Sequence, residues 1–220
     1  SVCSKRYRVN IRRGVVKAVG IKKYLPVLDE QSMLDIQLPK PEPKGRDILV
    51  AVKAIAVNPV DVKVRAPKKG QENPPRVIGW DAAGVVVSVG SEVQFFKPGD
   101  AVYYAGDITR TGSNAELQLV DERIVGSHPK SLGFVQAAAL PLTAITAYES
   151  LFDRLGIDKQ GADKGQSVLI VGAAGGVGSV AIQLAKLAGL EVIATASRPS
   201  SEQWVKDLGA DHVVDYRHDL

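Results

Sequence analysis

Residues 168–186 read VLIVGAAGGVGSVAIQLAK, and the spacing of their glycines could do one kind of chemistry. The run of branched apolar residues at 168–171 predicts a buried parallel strand. A glycine-rich turn follows at once. Val177, Ala181, Leu184 and Ala185 then recur at helical spacing. Strand, glycine turn and helix together make the arrangement that grips a dinucleotide pyrophosphate. Free backbone N–H groups at the helix start point at the phosphates, and the helix dipole favours their charge. Ala174, Gly175, Gly176, Val177 and Gly178 are the candidate phosphate contacts. Aligned on its last two glycines, the motif carries Ala173 at the first glycine position, with Gly172 just before it.

The second strand bears on which nucleotide is held. Residues 191–196, EVIATA, are strand-like. The chain then runs Ala196-Ser197-Arg198-Pro199-Ser200-Ser201, with no acid to bind a ribose 2′-OH. Ser197 can donate to a 2′-phosphate, and Arg198 can add a planar charged fork. The expected cofactor is therefore NADPH. The plain alternative is a solvated arginine, with Ser200 or Ser201 capping a helix at 202–208. A third strand is expected at 212–216, ending on Tyr216, a further candidate cofactor contact beside Ser197 and Arg198.

These residues need a scaffold, and the rest of the chain supplies it. The 220 residues leave room for one large or two modest domains. Cys3 is the only cysteine, which excludes a disulfide framework and a cysteine-based zinc site. No apolar run is long enough to cross a bilayer, and the composition fits a cytoplasmic protein. Residues 1–23 carry eight Lys and Arg and no acid. The whole chain has a net charge of +4, so the remainder is net −4 and nucleic-acid binding by it is not expected. Short strand-like runs occupy 16–21, 47–57, 84–89, 101–104 and 116–120. Turn signals at 39–45, Pro74-Pro75, Gly90-Ser91 and 97–100 separate them. Helical periodicity covers 133–155, interrupted by Pro141.

Several segments, in order, carry a family resemblance: NPVDVKVR at 58–65, VIGWDAAGVVVSVG at 77–90, KPGDAV at 97–102, ALPLTAITAYESL at 139–151, the glycine segment, and LGADHVVDY at 208–216. The chain resembles the medium-chain dehydrogenase/reductase superfamily, closest to its zinc-free quinone oxidoreductase and zinc-type alcohol dehydrogenase-like branch. The resemblance implies an α/β protein. A basic arm at 1–15 would precede a GroES-like β-barrel substrate domain at 16–140. The first half of a Rossmann domain, a doubly wound parallel sheet, would fill 141–220. It also implies a homodimer in the full-length form. KAVG at 17–20 normally opens the family's chain, so the arm is expected to be a mis-assigned start, an Arg-rich presequence or expression-derived residues. The family carries three more strands after strand three, so the sequence reads as C-terminally truncated, with an uncovered sheet edge.

The resemblance also bears on the reaction. Zinc-dependent members have a cysteine where this chain has Asn58, and a His-Glu pair where it has Trp80-Asp81. Their third ligand falls near 140–143, where no thiolate or imidazole stands. Catalytic zinc needs about three protein ligands, and only Asp81 could serve, so no metal is expected. His128, His212 and His218 read as structural or surface residues. The implied activity is zinc-free hydride transfer from NADPH to a quinone or an α,β-unsaturated carbonyl. Asn58 and Asp61 match positions lining the nicotinamide and substrate cleft. Asn58-Pro59 is equally a turn starter. Thr143 and Thr146 match the segment meeting the nicotinamide, and equally read as helix caps or core hydroxyls. Lys63 stands where some quinone reductases carry tyrosine, which weakens the expectation of a quinone. A short-chain dehydrogenase is excluded by order and by residues, since Tyr148 is followed four places later by Phe152 and precedes the glycines. A nucleotide-binding relative without useful catalysis, crystallin-like or regulatory, or an inactive fragment, is the alternative.

Overall fold

The computed structural model describes residues 14–218 and is α/β, so the arm at 1–13 and the last two residues lie outside the description. The described chain forms two compact units, one running to Leu142 and the other starting at Thr143.

The first unit is mostly antiparallel. Its elements are β1 (Val15–Lys23), β2 (Leu34–Pro39), β3 (Asp47–Ala56), α1 (Pro59–Arg65), β4 (Gln71–Val77), β5 (Asp81–Val89), β6 (Ala101–Tyr104), β7 (Leu117–Asp121), β8 (Val125–Ser127) and α2 (Phe134–Ala138). Five strands form one sheet in the order β7-β3-β5-β6-β8, and β2-β1-β4 form another. Strand β3 lies between β7 and β5 and is fully buried at Ile48, Leu49, Val50 and Ala51. Strand β5 pairs with β3 on one side and β6 on the other, which draws Asp81-Ala82-Ala83 into the sheet despite their weak strand propensity. The expected start at Gly84 was therefore three residues late.

Pro74-Pro75 is a correction of a different kind. The pair reads as a turn, yet it lies within β4. That strand is at the sheet edge, and its register on β1 slips between Ile21 and Lys23, where the prolines cannot donate to the ladder.

Glu122 ties the first unit together. Its buried carboxylate accepts from the N–H groups of Gln94 (2.9 Å) and Phe95 (2.7 Å), and from Arg46 Nη1 at 2.9 Å. Burial alone would raise this carboxyl, but the Phe95 and Gln94 donors and the Arg46 charge outweigh it and hold it below the usual glutamate value. A group depressed on folding stabilises above its unfolded pKa, and that stability is lost as pH falls through the folded one. Tm should therefore drop as pH is lowered through about 4.3 and below. Glu122→Gln should lower Tm at neutral pH and flatten this part of the acid profile, as read by circular dichroism melts.

The second unit holds α3 (Pro141–Tyr148) for most of its length, a π-helical turn at Glu149–Arg154, β9 (Ser167–Ile170), α4 (Gly176–Leu187), β10 (Glu191–Thr195), α5 (Pro199–Asp207) and β11 (His212–Val214). Pro141 opens α3, where its missing N–H does no harm. The three strands are parallel in the order β11-β10-β9, a partial Rossmann-like sheet. Its core joins Ile170, Ile182, Ala185, Val192, Ala194 and Val205. Two boundaries differ from expectation. Helix α5 starts at Pro199 with Arg198 as its N-cap, so Ser200 and Ser201 lie inside it rather than capping it. Strand β11 stops at Val214, leaving Tyr216 in the following turn.

Candidate functional site

The first cluster grows from the start of α1. Asn58 is its N-cap, extended at φ −122°, and Pro59 follows at the first helical position. The two ends of this turn hold each other as a capping box. The Asp61 carboxylate accepts the Asn58 backbone N–H at 2.8 Å. Asn58 Nδ2 in turn donates to Asp81 Oδ2 at 2.8 Å. The other Asp81 oxygen accepts the Leu142 N–H at 2.8 Å. Asn58, Asp61 and Asp81 are all buried, Asp81 completely. Burial raises both carboxyls above the usual aspartate value. For Asp81 the Asn58 and Leu142 donors oppose the rise, while the Asp61 charge adds to it. For Asp61 the backbone N–H groups of Asn58, Asp61 and Gly79 oppose it. Among the described residues neither carboxylate makes an ion pair.

Trp80, just before Asp81, is buried in an apolar cluster with Ile21, Tyr24 and Ile78, against Val60 and Val64 of α1. Among the described residues no three His, Cys, Asp or Glu side chains gather as a metal site. Asp81, the one side chain here that could have been a ligand, has both oxygens occupied by N–H donors.

The second cluster surrounds the glycine turn. The residue that needs the left-handed region is Gly172, at φ +66°. Ala173 comes one place later and has no positive φ, which is why an alanine suffices at the motif's first position. A Cβ on Gly178 would stand 2.6 Å from both the Cα and the O of Ala173, so only glycine lets α4 approach the turn. On Gly176 a Cβ would meet Thr143 Cγ2 at 3.0 Å, which brings Thr143 to the start of α4.

The backbone N–H groups divide into two sets. Those of Gly172, Ala173 and Gly175 are used inside the protein, by Thr195 Oγ1 (2.9 Å), Thr195 O (3.3 Å) and Gly172 O (2.9 Å). Those of Ala174, Gly176, Val177 and Gly178 find no acceptor among the described residues, as expected for the first turn of a helix. Gly175 is thus part of the turn's own bonding, unlike the other four candidate contacts. A cavity of about 460 Å³ opens beside the turn, lined by β9, by Ser150, Leu151 and Leu155, and by Gly175–Gly178 and Ala181. Thr146 lies on the exposed side of α3.

Beyond β10, Ser197 Oγ donates to Tyr216 Oη at 2.9 Å. Arg198 is exposed beside them. Sequence reasoning placed Ser197, Arg198 and Tyr216 as candidates, and the structure brings the first and third into contact. It missed Thr195, whose only signal was a hydroxyl in an otherwise apolar strand end. It also missed the Lys159 ammonium on the Tyr148 hydroxyl, a contact between residues 11 apart in sequence.

No helix among the described residues is long and apolar enough to cross a membrane. Residues 44–144 match the family model of the alcohol dehydrogenase GroES-like domain, and residues 176–220 match that of zinc-binding dehydrogenases. A zinc-type alcohol dehydrogenase-like protein of Staphylococcus epidermidis is 44% identical over 206 residues, which cover 93% of this chain and 61% of that protein. A 2-methylene-furan-3-one reductase of Solanum lycopersicum is 44% identical over 194 residues, covering 83% of this chain and 48% of that protein. The crystal structure of Escherichia coli quinone oxidoreductase complexed with NADPH superposes with a TM-score of 0.74 at 28% identity, over 93% of this chain and 60% of that one. The chain thus spans about 60% of the length of the first of these relatives. It belongs to the medium-chain dehydrogenase/reductase superfamily, in the branch of quinone oxidoreductases and zinc-type alcohol dehydrogenase-like proteins.

Proposed function

We propose that this chain is the substrate-side and first nucleotide-binding part of an NADPH-dependent oxidoreductase that reduces an α,β-unsaturated carbonyl or a quinone without a metal. The observation that carries the nucleotide is the set of four N–H groups at Ala174, Gly176, Val177 and Gly178, with a backbone approach at Gly178 that a Cβ would block. These residues fit a pyrophosphate. Arg198 and Ser197 stand where an acid would select NADH, and they favour a 2′-phosphate, with Tyr216 Oη beside Ser197. When bound, NADPH would supply a hydride from C4 of its nicotinamide. Residues 16–140 would be the substrate domain, residues 141–220 the first half of the cofactor domain, and the full-length form a homodimer.

The side chains of the first cluster would position rather than react. Asn58, held by Asp81, would orient a carbonyl or carboxamide, and Asp61 would keep Asn58 at the helix cap. Two features support metal independence. Trp80 and Asn58 stand where zinc-dependent relatives have ligands, and the Asp81 oxygens are both engaged. Exhaustive chelation should leave NADPH-dependent turnover of the complete protein unchanged. Activity lost on chelation and restored by zinc would overturn this part.

A substrate panel tests the reaction. NADPH should be oxidised by enones or quinones, with primary alcohol oxidation near background, because nothing here lowers the pKa of an alkoxide as zinc does. Oxidation of ethanol or benzyl alcohol without enone reduction would reverse the assignment. Nucleotide binding with no turnover on any panel member would favour a non-catalytic relative.

A further inference from the structure

We propose that Thr195 is the positioning residue of the nucleotide turn, an inference that rests on the nucleotide reading above. Thr195 ends β10, the central strand of the sheet, and is 2% exposed. It is registered on both sides, by its own pairing with Val214 and by Ala194 on Ile170. From that fixed place it grips the turn twice. Its hydroxyl oxygen accepts the Gly172 N–H at 2.9 Å, and its carbonyl accepts the Ala173 N–H at 3.3 Å.

Gly172 is the residue whose left-handed backbone reverses the chain after β9. A freely rotating glycine loses more conformational freedom on ordering than any other residue. The Thr195 hydroxyl fixes one side of that peptide, and the Gly175 N–H on Gly172 O, at 2.9 Å, fixes the other. With the turn set, the N–H groups of Ala174, Gly176, Val177 and Gly178 remain for a ligand. Threonine suits the position because its branched Cβ fits a strand while its oxygen reaches the turn. Valine would keep the shape and lose the acceptor.

The test uses two probes. NADPH spans the turn and the loop after β10, whereas adenosine 2′-monophosphate has no 5′-phosphate to offer the turn and meets the loop alone. In Thr195→Val, NADPH should bind about 5-fold more weakly, the worth of one neutral hydrogen bond. Adenosine 2′-monophosphate should bind as in the wild type, and Thr195→Ser should recover most of the NADPH affinity. Exchange of the Gly172 amide, followed by NMR without nucleotide, should be faster in Thr195→Val than in the wild type. Unchanged NADPH affinity in Thr195→Val would overturn the proposal, as would equal weakening of both probes. If the wild type binds neither probe, the nucleotide reading itself fails. The Gly172 exchange rates then decide the positioning role alone, and equal rates in both proteins refute it.

Discussion

Gly178→Ala should raise the dissociation constant for NADPH by about 100-fold or more, a loss of nearly 3 kcal/mol. The added Cβ would sit 2.6 Å from the Cα and O of Ala173 and 2.7 Å from its C. All three are backbone atoms of the turn, so no side chain can swing away to make room. Helix α4 and the turn must separate instead. Overpacking of this kind by itself costs about 1–3 kcal/mol of stability. Separation also scatters the N–H groups of Gly176, Val177 and Gly178 that would converge on the phosphates. Titration calorimetry reads the affinity, and a thermal melt of the same sample reads the strain. Gly176→Ala is the internal comparison, because its Cβ meets only the Thr143 methyl at 3.0 Å, and its effect should be several-fold smaller. Affinity within threefold of wild type in Gly178→Ala would show that the nucleotide does not depend on this approach.

Arg198→Ala should separate the two nicotinamide nucleotides. A hydrogen bond to a charged group contributes about 1.5–3 kcal/mol, so NADPH should weaken by roughly 10- to 150-fold. NADH, with no 2′-phosphate, should change by less than about twofold. Arg198 is exposed and lies at the N-cap of α5, where its backbone and not its side chain serves the helix. Its loss should therefore leave the melt almost unmoved. Raising the salt concentration should shrink the preference, because an exposed charge pair is screened within about 8–10 Å. Equal weakening of both nucleotides by this variant would sink the assignment of Arg198 to the 2′-phosphate.

The glycine segment was legible because its chemistry is local. Strand, turn and helix are contiguous, and β9 and α4 fall within a residue or so of where periodicity puts them. The first unit was legible only in part. Strands with strong β-formers, such as β3 and β6, stood out. Strand β4 did not, since Pro74-Pro75 is locally a turn and only its place at a sheet edge makes it a strand. Strand β2 and helix α1 were not read from the sequence, although both are longer than β6. The site residues divide along the same line. Ser197 and Arg198 could be named from their distance to the glycines. The bonds from Asn58 to Asp81, and from Thr195 to Gly172, cross 23 residues of sequence each. No local pattern encodes such a contact. It exists only once the strands have registered, and Asp81 in particular had read as the one possible metal ligand rather than as the anchor of an amide.

The internal bonding of the glycine turn has a kinetic consequence. Because the N–H groups of Gly172, Ala173 and Gly175 are already satisfied by Thr195 and by the turn itself, the turn has no folding left to do when a ligand arrives. Encounter with a nucleotide would then need no slow rearrangement of this turn. Variants that remove ligand contacts while leaving the turn intact, Arg198→Ala among them, should keep the association rate of NADPH and shorten its residence time. Variants that loosen the turn should slow association as well, since only a fraction of molecules would present the bound geometry at any moment. Stopped-flow traces would sort residues that hold the nucleotide from residues that hold the protein ready for it.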